Sequence, residues 1–424
     1  MTVELLESSI NMLWIMLGTV LVFFMHAGFA MVESGFTRSK NTVNILMKNI
    51  ITVSIASILY FVVGYGFMFG SSVGGVIGFS GFVLSGVDDI AFFVFQAVFA
   101  ATCATIISGA VAERMKLSAY FILTIAMVAI IYPIVGHWIW SGGWLAELGF
   151  IDFAGSTVVH LTGAVAALVA ASILGPRIGK YNGKKVNVLP GHSIPLGALG
   201  VFILWLGWFG FNGASTLAAD PAVVPSIITN TLLAASAGVL STALYTKLRY
   251  KQIDASLTLN GALSGLVGIT AGAANVSLPA AIVIGFFAGI IMTESIRILD
   301  AKLRVDDPVG AITVHGVVGV WGTLAVGLFE TSSGLFTTGS ASLLGIQAIG
   351  VVSVIVWVAA SSSIVVLGMK WTMGIRVTSE EEVTGLDYVE HGTSAYEVKE
   401  SFGGAFDRSE PFAQRLTELG KTIS

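Results

Sequence analysis

Two segments of this sequence share the pattern D-x-x-G-x-x-x-V-H. One runs from Asp152 through Gly155 and Val159 to His160. The other runs from Asp307 through Gly310 and Val314 to His315. The histidine is the residue with chemistry to offer. A neutral imidazole carries one hydrogen-bond donor and one acceptor. Two such rings side by side can share a proton and present their edges to a passing polar solute. Two histidines with no adjacent carboxylate or thiolate supply too few ligands for a typical zinc site. The plain alternative is a pair of packing histidines that hydrogen-bond only to each other.

The elements that carry these residues are apolar. Of the 424 residues, 55% are hydrophobic and 11% are charged, against about 25% charged in a soluble domain. Too few polar side chains remain to cover a water-exposed surface, so the natural solvent is lipid. Glycine is abundant at 50 residues and proline scarce at 9, which suits close helix contact in a bilayer. Apolar stretches long enough to cross a membrane recur over residues 9–32, 43–69, 91–112, 118–138, 155–174, 194–213, 223–246, 257–274, 279–298, 308–329 and 343–370. Each approaches the roughly 20 residues a spanning helix needs. They are continuous rather than alternating, which argues against a β-barrel. The fold class expected is all-α integral membrane, with eleven transmembrane helices. The domain division expected is a transmembrane domain over 1–370 and a cytoplasmic tail over 371–424.

On this numbering the two D-x-x-G motifs open the fifth and the tenth helices. Five helices apart means opposite directions of crossing, the mark of an inverted-topology repeat whose sites lie near the midplane. The fold is therefore read as a 5+5 inverted repeat plus one extra helix. Eight helical residues from each acid to its histidine would give a depth of about 12 Å, near the middle of a bilayer about 30 Å thick. Ionisable residues at that depth default to function.

Charge sets the orientation. Arg38, Lys40, Arg114, Lys116, Arg177, Lys180, Lys184, Lys185, Lys247, Arg249, Lys251, Lys302 and Arg304 all fall in odd-numbered loops, and the other basic residues lie at helix ends on that side or in the tail. The even loops hold acids instead: Asp88, Asp89, Glu147, Asp152, Asp220 and Glu330. The positive-inside rule then puts the N-terminus outside and the tail in the cytoplasm of a multi-pass cell-membrane protein. Glu4 and Glu7 at the start do not form the basic region of a cleavable signal. Cys103, the single cysteine, reads as a small buried hydrophobe. From Trp371 the chain becomes polar, and Pro411 to Leu419 carries a weak helical periodicity.

These features resemble the ammonium transporter family (Amt/Mep, related to Rhesus proteins), and specifically its prokaryotic type. The blocks that carry the resemblance extend from Ala27–Gly35 to Tyr396. They include Phe95–Phe99, Gly109–Arg114, Asp152–His160, Gly207–Asn212, Asp306–Pro308, Gly385–Asp387 and His391–Tyr396. The resemblance implies a homotrimer with one pore per subunit, lined by His160 and His315. It implies that Trp140, Phe99 and Ser215 form an outer ammonium site and that Phe99 and Phe211 are stacked rings gating the pore. Asp152 matches an acid that supports the outer site without touching the ion. The aromatic faces suit a small cation, and the serine hydroxyl adds an acceptor. The resemblance also implies a PII-type signalling protein as partner at the cytoplasmic face.

One departure is His26, where many relatives carry glutamine. Glu33 lies seven residues on, on the same helix face. The two are expected to form a polar pair at a helix or subunit interface, with a second proton-carrying site as the alternative. The function expected is ammonium or ammonia transport, with no enzymatic activity, cofactor, metal or nucleic acid involved. An ammonium sensor signalling through the tail is the rival. A channel for urea or water would have no use for a cation site, and no intramembrane aspartate pair or serine–lysine arrangement suits a hydrolase.

Overall fold

The structure is a computed structural model that describes residues 2–396; the stretch from Pro411 to Leu419 lies outside the described residues. The chain is a bundle of membrane helices. Among the described residues, ten are long and apolar enough to cross a bilayer: α1 Val3–Phe36, α2 Ser39–Phe69, α3 Ile90–Ala110, α4 Leu117–Glu147, α5 Ser156–Leu174, α6 Ile194–Thr216, α7 Val224–Tyr250, α9 Leu278–Leu303, α10 Ile312–Phe329 and α11 Ser342–Thr372. Between α7 and α9 lies α8, Ala255–Thr270, which is apolar but only 16 residues long. Two short helices follow, α12 Ser379–Thr384 and α13 Leu386–His391.

Most of these boundaries lie close to the apolar stretches. The largest differences have local causes. The α1 helix begins six residues before the expected start because Thr2 caps it, its hydroxyl accepting from Leu5 N at 3.2 Å. Capping overrides the polar Glu4 and Glu7 that mask the start in a hydropathy pattern. The α4 span ends nine residues past the expected 138 because a short helix, Trp144–Glu147, follows Trp140. Pro133 inside the span lies near the start of a fresh helical segment after a π-helical turn over Met127–Ile131. That turn absorbs the missing amide.

Close packing depends on small residues. A methyl on Gly265 of α8 would sit 2.2 Å from the Ala234 carbonyl of α7, so those two backbones meet with no side chain between them, as membrane interfaces favour.

The α5 and α10 helices run antiparallel. Thr157 meets Thr323 hydroxyl to hydroxyl at 2.6 Å, Gly319 faces Ser156 and Leu161, and Gly316 faces Ala164. As α5 advances, its partner positions on α10 recede. The overlap takes in the first half of α5, to Ala164, and the first two-thirds of α10, to Thr323. Each therefore starts part-way through the bundle and leaves on the opposite side, which is the arrangement an inverted repeat requires.

Loops segregate by parity. On one face Arg177 bridges Glu113, at 2.8 Å, and Asp306, at 2.8 Å, while Arg38 also pairs with Glu113. Arg114 donates to the Asp306 carbonyl at 2.7 Å. Burial alone would raise the Asp306 carboxyl, but Arg177 and Arg114 outweigh it and hold it at about 2. The tail docks on the same face. Glu382 accepts from Ile178 N at 2.6 Å and pairs with Arg376 at 2.7 Å, and Asp387 accepts from Asn44 N at 2.9 Å. The even loops meet on the other face, where Trp144 N donates to Gly75 O and Thr331 N to Asn275 O, both at 3.0 Å.

Candidate functional site

Both D-x-x-G motifs build the same local device. Asp152 accepts backbone N–H bonds from Gly155 at 3.0 Å and from Thr157 and Val158 at 2.9 Å. Asp307 accepts from Gly310 at 3.1 Å and Ile312 at 2.7 Å. Each aspartate thus satisfies the orphan amides at a helix start. The turn into the helix passes through a left-handed glycine, φ 110° at Gly155 and 82° at Gly310. A side chain at either position would be strained.

The first helical turns are π-helical, Ser156–Leu161 and Ile312–Val317, and each holds its histidine. This corrects the expected run of eight helical residues. The four residues from each aspartate to its glycine are not helical, so each histidine lies only about 6 Å along its own helix. The two rings still converge, because the antiparallel helices overlap along the parts that hold them.

His160 and His315 are brought together. Their Nδ1 atoms are 3.2 Å apart and the rings stack at 5.1 Å and 19°. One nitrogen must donate and the other accept, so one proton lies between them. Both are buried, and His160 Nε2 has no protein partner. A buried polar atom without a partner calls for an explanation.

A column of rings continues from this pair. His160 stacks on Phe211 at 5.5 Å and 28°. Phe211 stacks on Phe99 at 4.1 Å and 24°. Trp140 meets Phe99 edge-on at 6.2 Å. The Trp140 indole donates to the Asp152 carbonyl at 2.7 Å, so the aspartate's backbone holds the indole while its carboxylate is engaged with amides. Ser215 donates to the Phe211 carbonyl at 2.7 Å, leaving its oxygen lone pairs free to accept. Every residue singled out from the sequence for the site thus belongs to one connected set.

Two members of the column were missed. Trp208 stacks face-on with His160 at 5.0 Å and 16°, its indole donating to Thr270 at 2.9 Å. Phe29 lies 6.0 Å from the His315 ring. The signal for Trp208 was present: it stands three residues before Phe211, on the same helix face. Phe29 had no such cue.

The His26–Glu33 pair is not formed. His26 Nδ1 bonds to the Phe23 carbonyl at 3.1 Å, and Glu33 accepts from Ser108 of α3 at 2.6 Å. Seven helical residues share a face but stand about 10.5 Å apart along the axis, too far for contact. Cys103 is fully buried, as expected.

Comparison with known proteins agrees with this architecture. Residues 13–396 match the Ammonium Transporter Family. The ammonium transporter Amt2 of Archaeoglobus fulgidus is 42% identical over 416 residues, covering 92% of this chain and 89% of the relative. A solved structure titled "Sensor Amt Protein" superposes with a TM-score of 0.88 at 42% identity, over 92% of this chain and all of that one. Mep2 of Candida albicans superposes with a TM-score of 0.82 at 30% identity, over 88% of this chain and 87% of that one. The chain is a multi-pass membrane protein and belongs to the ammonium transporter family.

Proposed function

We propose that this chain conducts ammonia through a pore lined by His160 and His315, after recruiting ammonium at Trp140, Phe99 and Ser215. The observation that carries the reading is the unbroken column from Trp140 through Phe99 and Phe211 to the paired imidazoles. Ammonium meets the aromatic faces first, where ring quadrupoles favour a cation. The stacked Phe99 and Phe211 then close the path to a hydrated ion. Ammonium gives up its proton to the solvent on the Trp140 side, and ammonia passes the rings. The shared imidazole proton leaves ring nitrogens to exchange hydrogen bonds with it. Asp152 holds the Trp140 indole in place and adds negative charge near the recruiting site without contacting the ion.

The test is flux of ammonium into vesicles carrying the full chain. Replacing His160 or His315 with alanine should impair flux or its selectivity over potassium. A double variant with wild-type flux and selectivity would remove the pair from the mechanism. Current under an ammonium gradient would add net charge movement to the mechanism, and flux without current would assign neutral ammonia as the species carried.

In this proposal residues 1–370 form the transporter domain in the cell membrane, with the N-terminus outside. Residues 371–424 form a cytoplasmic tail on the face of the basic loops. Three copies assemble through the exposed apolar helix faces, and a PII-type signalling protein binds the basic loops and tail. A second reading is favoured by the likeness to the structure titled as a sensor. There, ammonium binding would be reported through the docked tail with little flux. Flux no greater than that of empty vesicles, with ammonium-dependent movement of the tail, would favour it.

A further inference from the structure

A cavity of about 20 Å³ lies beside His315, on the Asp307 side of the paired rings. That is room for one water-sized molecule. Glu33, Thr105, Asn260 and His315 supply the polar part of its wall, and Phe29 is among the apolar residues that close it. The carboxylate is the unusual member. Glu33 is 2% exposed, yet it forms no ion pair among the described residues. Ser108 Oγ donates to its Oε2 at 2.6 Å. The buried cation that acts on it by charge is Lys48. Lys48 instead turns its ammonium to the Ser108 carbonyl at 3.1 Å and to the Tyr120 ring at 5.5 Å.

A buried carboxylate without a contact ion pair is costly unless a cation or proton meets it. Most of the remaining wall is apolar, and two of its polar members, Thr105 and His315, can accept hydrogen bonds. Thr105 donates its proton to Asn49 at 2.8 Å, leaving its oxygen to accept. His315 has Nδ1 engaged with His160, so Nε2 is the nitrogen left for the cavity. A small cation with N–H donors matches a carboxylate, a hydroxyl oxygen and an imidazole nitrogen around a water-sized space.

We propose that Glu33, Thr105 and His315 form a second ammonium site, at the end of the pore away from Trp140. This site binds the ammonium ion itself, reached from the face of the basic loops. The inference rests on the pore reading, because His315 belongs to both.

Vesicles carrying the full chain in one orientation, with ammonium chloride supplied at either face, test it. Glu33→Gln keeps the size of the side chain and an acceptor for Ser108 but removes the charge. It should raise the half-saturating ammonium concentration at the basic-loop face at least fivefold and leave that at the Trp140 face unchanged. Glu33→Asp should fall between. An equal change at both faces, or none at either, would assign Glu33 a structural role and overturn the site. A second measurement needs no variant. Crystals of the wild-type chain soaked in thallium(I), a monovalent cation close to ammonium in size, should show an anomalous peak beside Glu33. An empty cavity there would overturn the proposal. The pore reading fails on a separate result, wild-type transport by the His160 and His315 variants.

Discussion

Trp140 illustrates how much one side chain can contribute. Its indole N–H is fixed by the Asp152 carbonyl, so the ring is held for whatever approaches its face. A cation–π contact is worth about 0.5–2 kcal/mol, so Trp140→Leu should raise the half-saturating ammonium concentration by about twofold to thirtyfold. Flux measured at low ammonium would reveal it, and an unchanged concentration dependence would take Trp140 out of the site. Trp208 makes a different prediction. It stacks on His160 and is anchored by Thr270. Trp208→Leu removes the stacking surface that holds one ring of the pair, so it should reduce selectivity for ammonium over potassium with little change in half-saturation. A shift in half-saturation alone, measured by the same assay, would place Trp208 in recruitment instead. At this scale the sequence revealed the residues with distinctive chemistry. His160 and His315 stood out because a repeated motif carried each of them, and Phe99, Phe211, Trp140 and Ser215 because their blocks match a family. It misled at His26 and Glu33, because sharing a helix face is not contact when two turns intervene.

The elements that hold these residues depend on turns and ion pairs at their ends. The sequence showed Asp152 and Asp307 at helix starts, and their place in a repeat was readable from spacing. The π-helical turns were not readable. They lie just after the left-handed glycines and where α5 overlaps α10, and no local propensity in the sequence marks them. A valine at Gly155 would be forced to φ near 110°, a strain of about 1–3 kcal/mol. Arg177 makes the sharper prediction. It is buried between Glu113 and Asp306, so Arg177→Ala strands the Asp306 carboxylate, leaves Glu113 with Arg38 alone, and should destabilise the chain by about 3–5 kcal/mol. Thermal unfolding in detergent would measure it, and a loss under about 1 kcal/mol would mean that water reaches both carboxylates. The pH dependence has a definite sign. Asp306 is held at about 2, below the roughly 3.9 of an unfolded aspartate. Its contribution is complete above about pH 3.9 and is lost as pH falls towards 2, so stability should drop with acid across that window. Arg177→Ala should flatten the drop.

The whole molecule turns on one helix and one tail. The ten long helices alone would place both ends of the chain on one face. The α8 helix spans about 24 Å, at about 1.5 Å for each of its 16 residues. It begins beside Lys251, and Asn260 reaches the Val309 carbonyl on the basic face at 3.3 Å. It ends where Ala271 O accepts from Phe153 N, among the even loops. Counted as a crossing, it puts the two ends on opposite faces. Reporters beside Thr2 and in the tail should then label opposite sides, and finding both on one side would mean that α8 does not cross.

The tail joins the loops that the repeat brings to the basic face. Lys40 donates to the Glu382 carbonyl at 2.8 Å and Leu386 N to Asn41 at 3.0 Å, tying the tail to the start of α2. Glu390 accepts from Leu117 N at 3.3 Å at the start of α4. His192, before α6, meets Tyr396 at 2.8 Å. One segment thus joins the starts of α2, α4 and α6, and α4 and α6 carry Trp140, Trp208 and Phe211. Cutting the chain after Arg376 removes every one of these contacts and leaves the Ile178, Asn44 and Leu117 amides without their acceptors. Only the Asn44 amide is buried, while the Ile178 and Leu117 bonds are part-buried. Water reaches all three once the tail is gone, so the cost stays below the about 1–3 kcal/mol of a buried unpaired amide and loosens the loops without unfolding the helices. The truncated chain should therefore insert and remain folded but carry ammonium more slowly. It should also bind a PII-type protein more weakly, since the basic loops would lose their fixed arrangement. Flux in vesicles and equilibrium binding of the purified partner check the two effects independently. Normal flux with unchanged affinity would leave the tail no part in control.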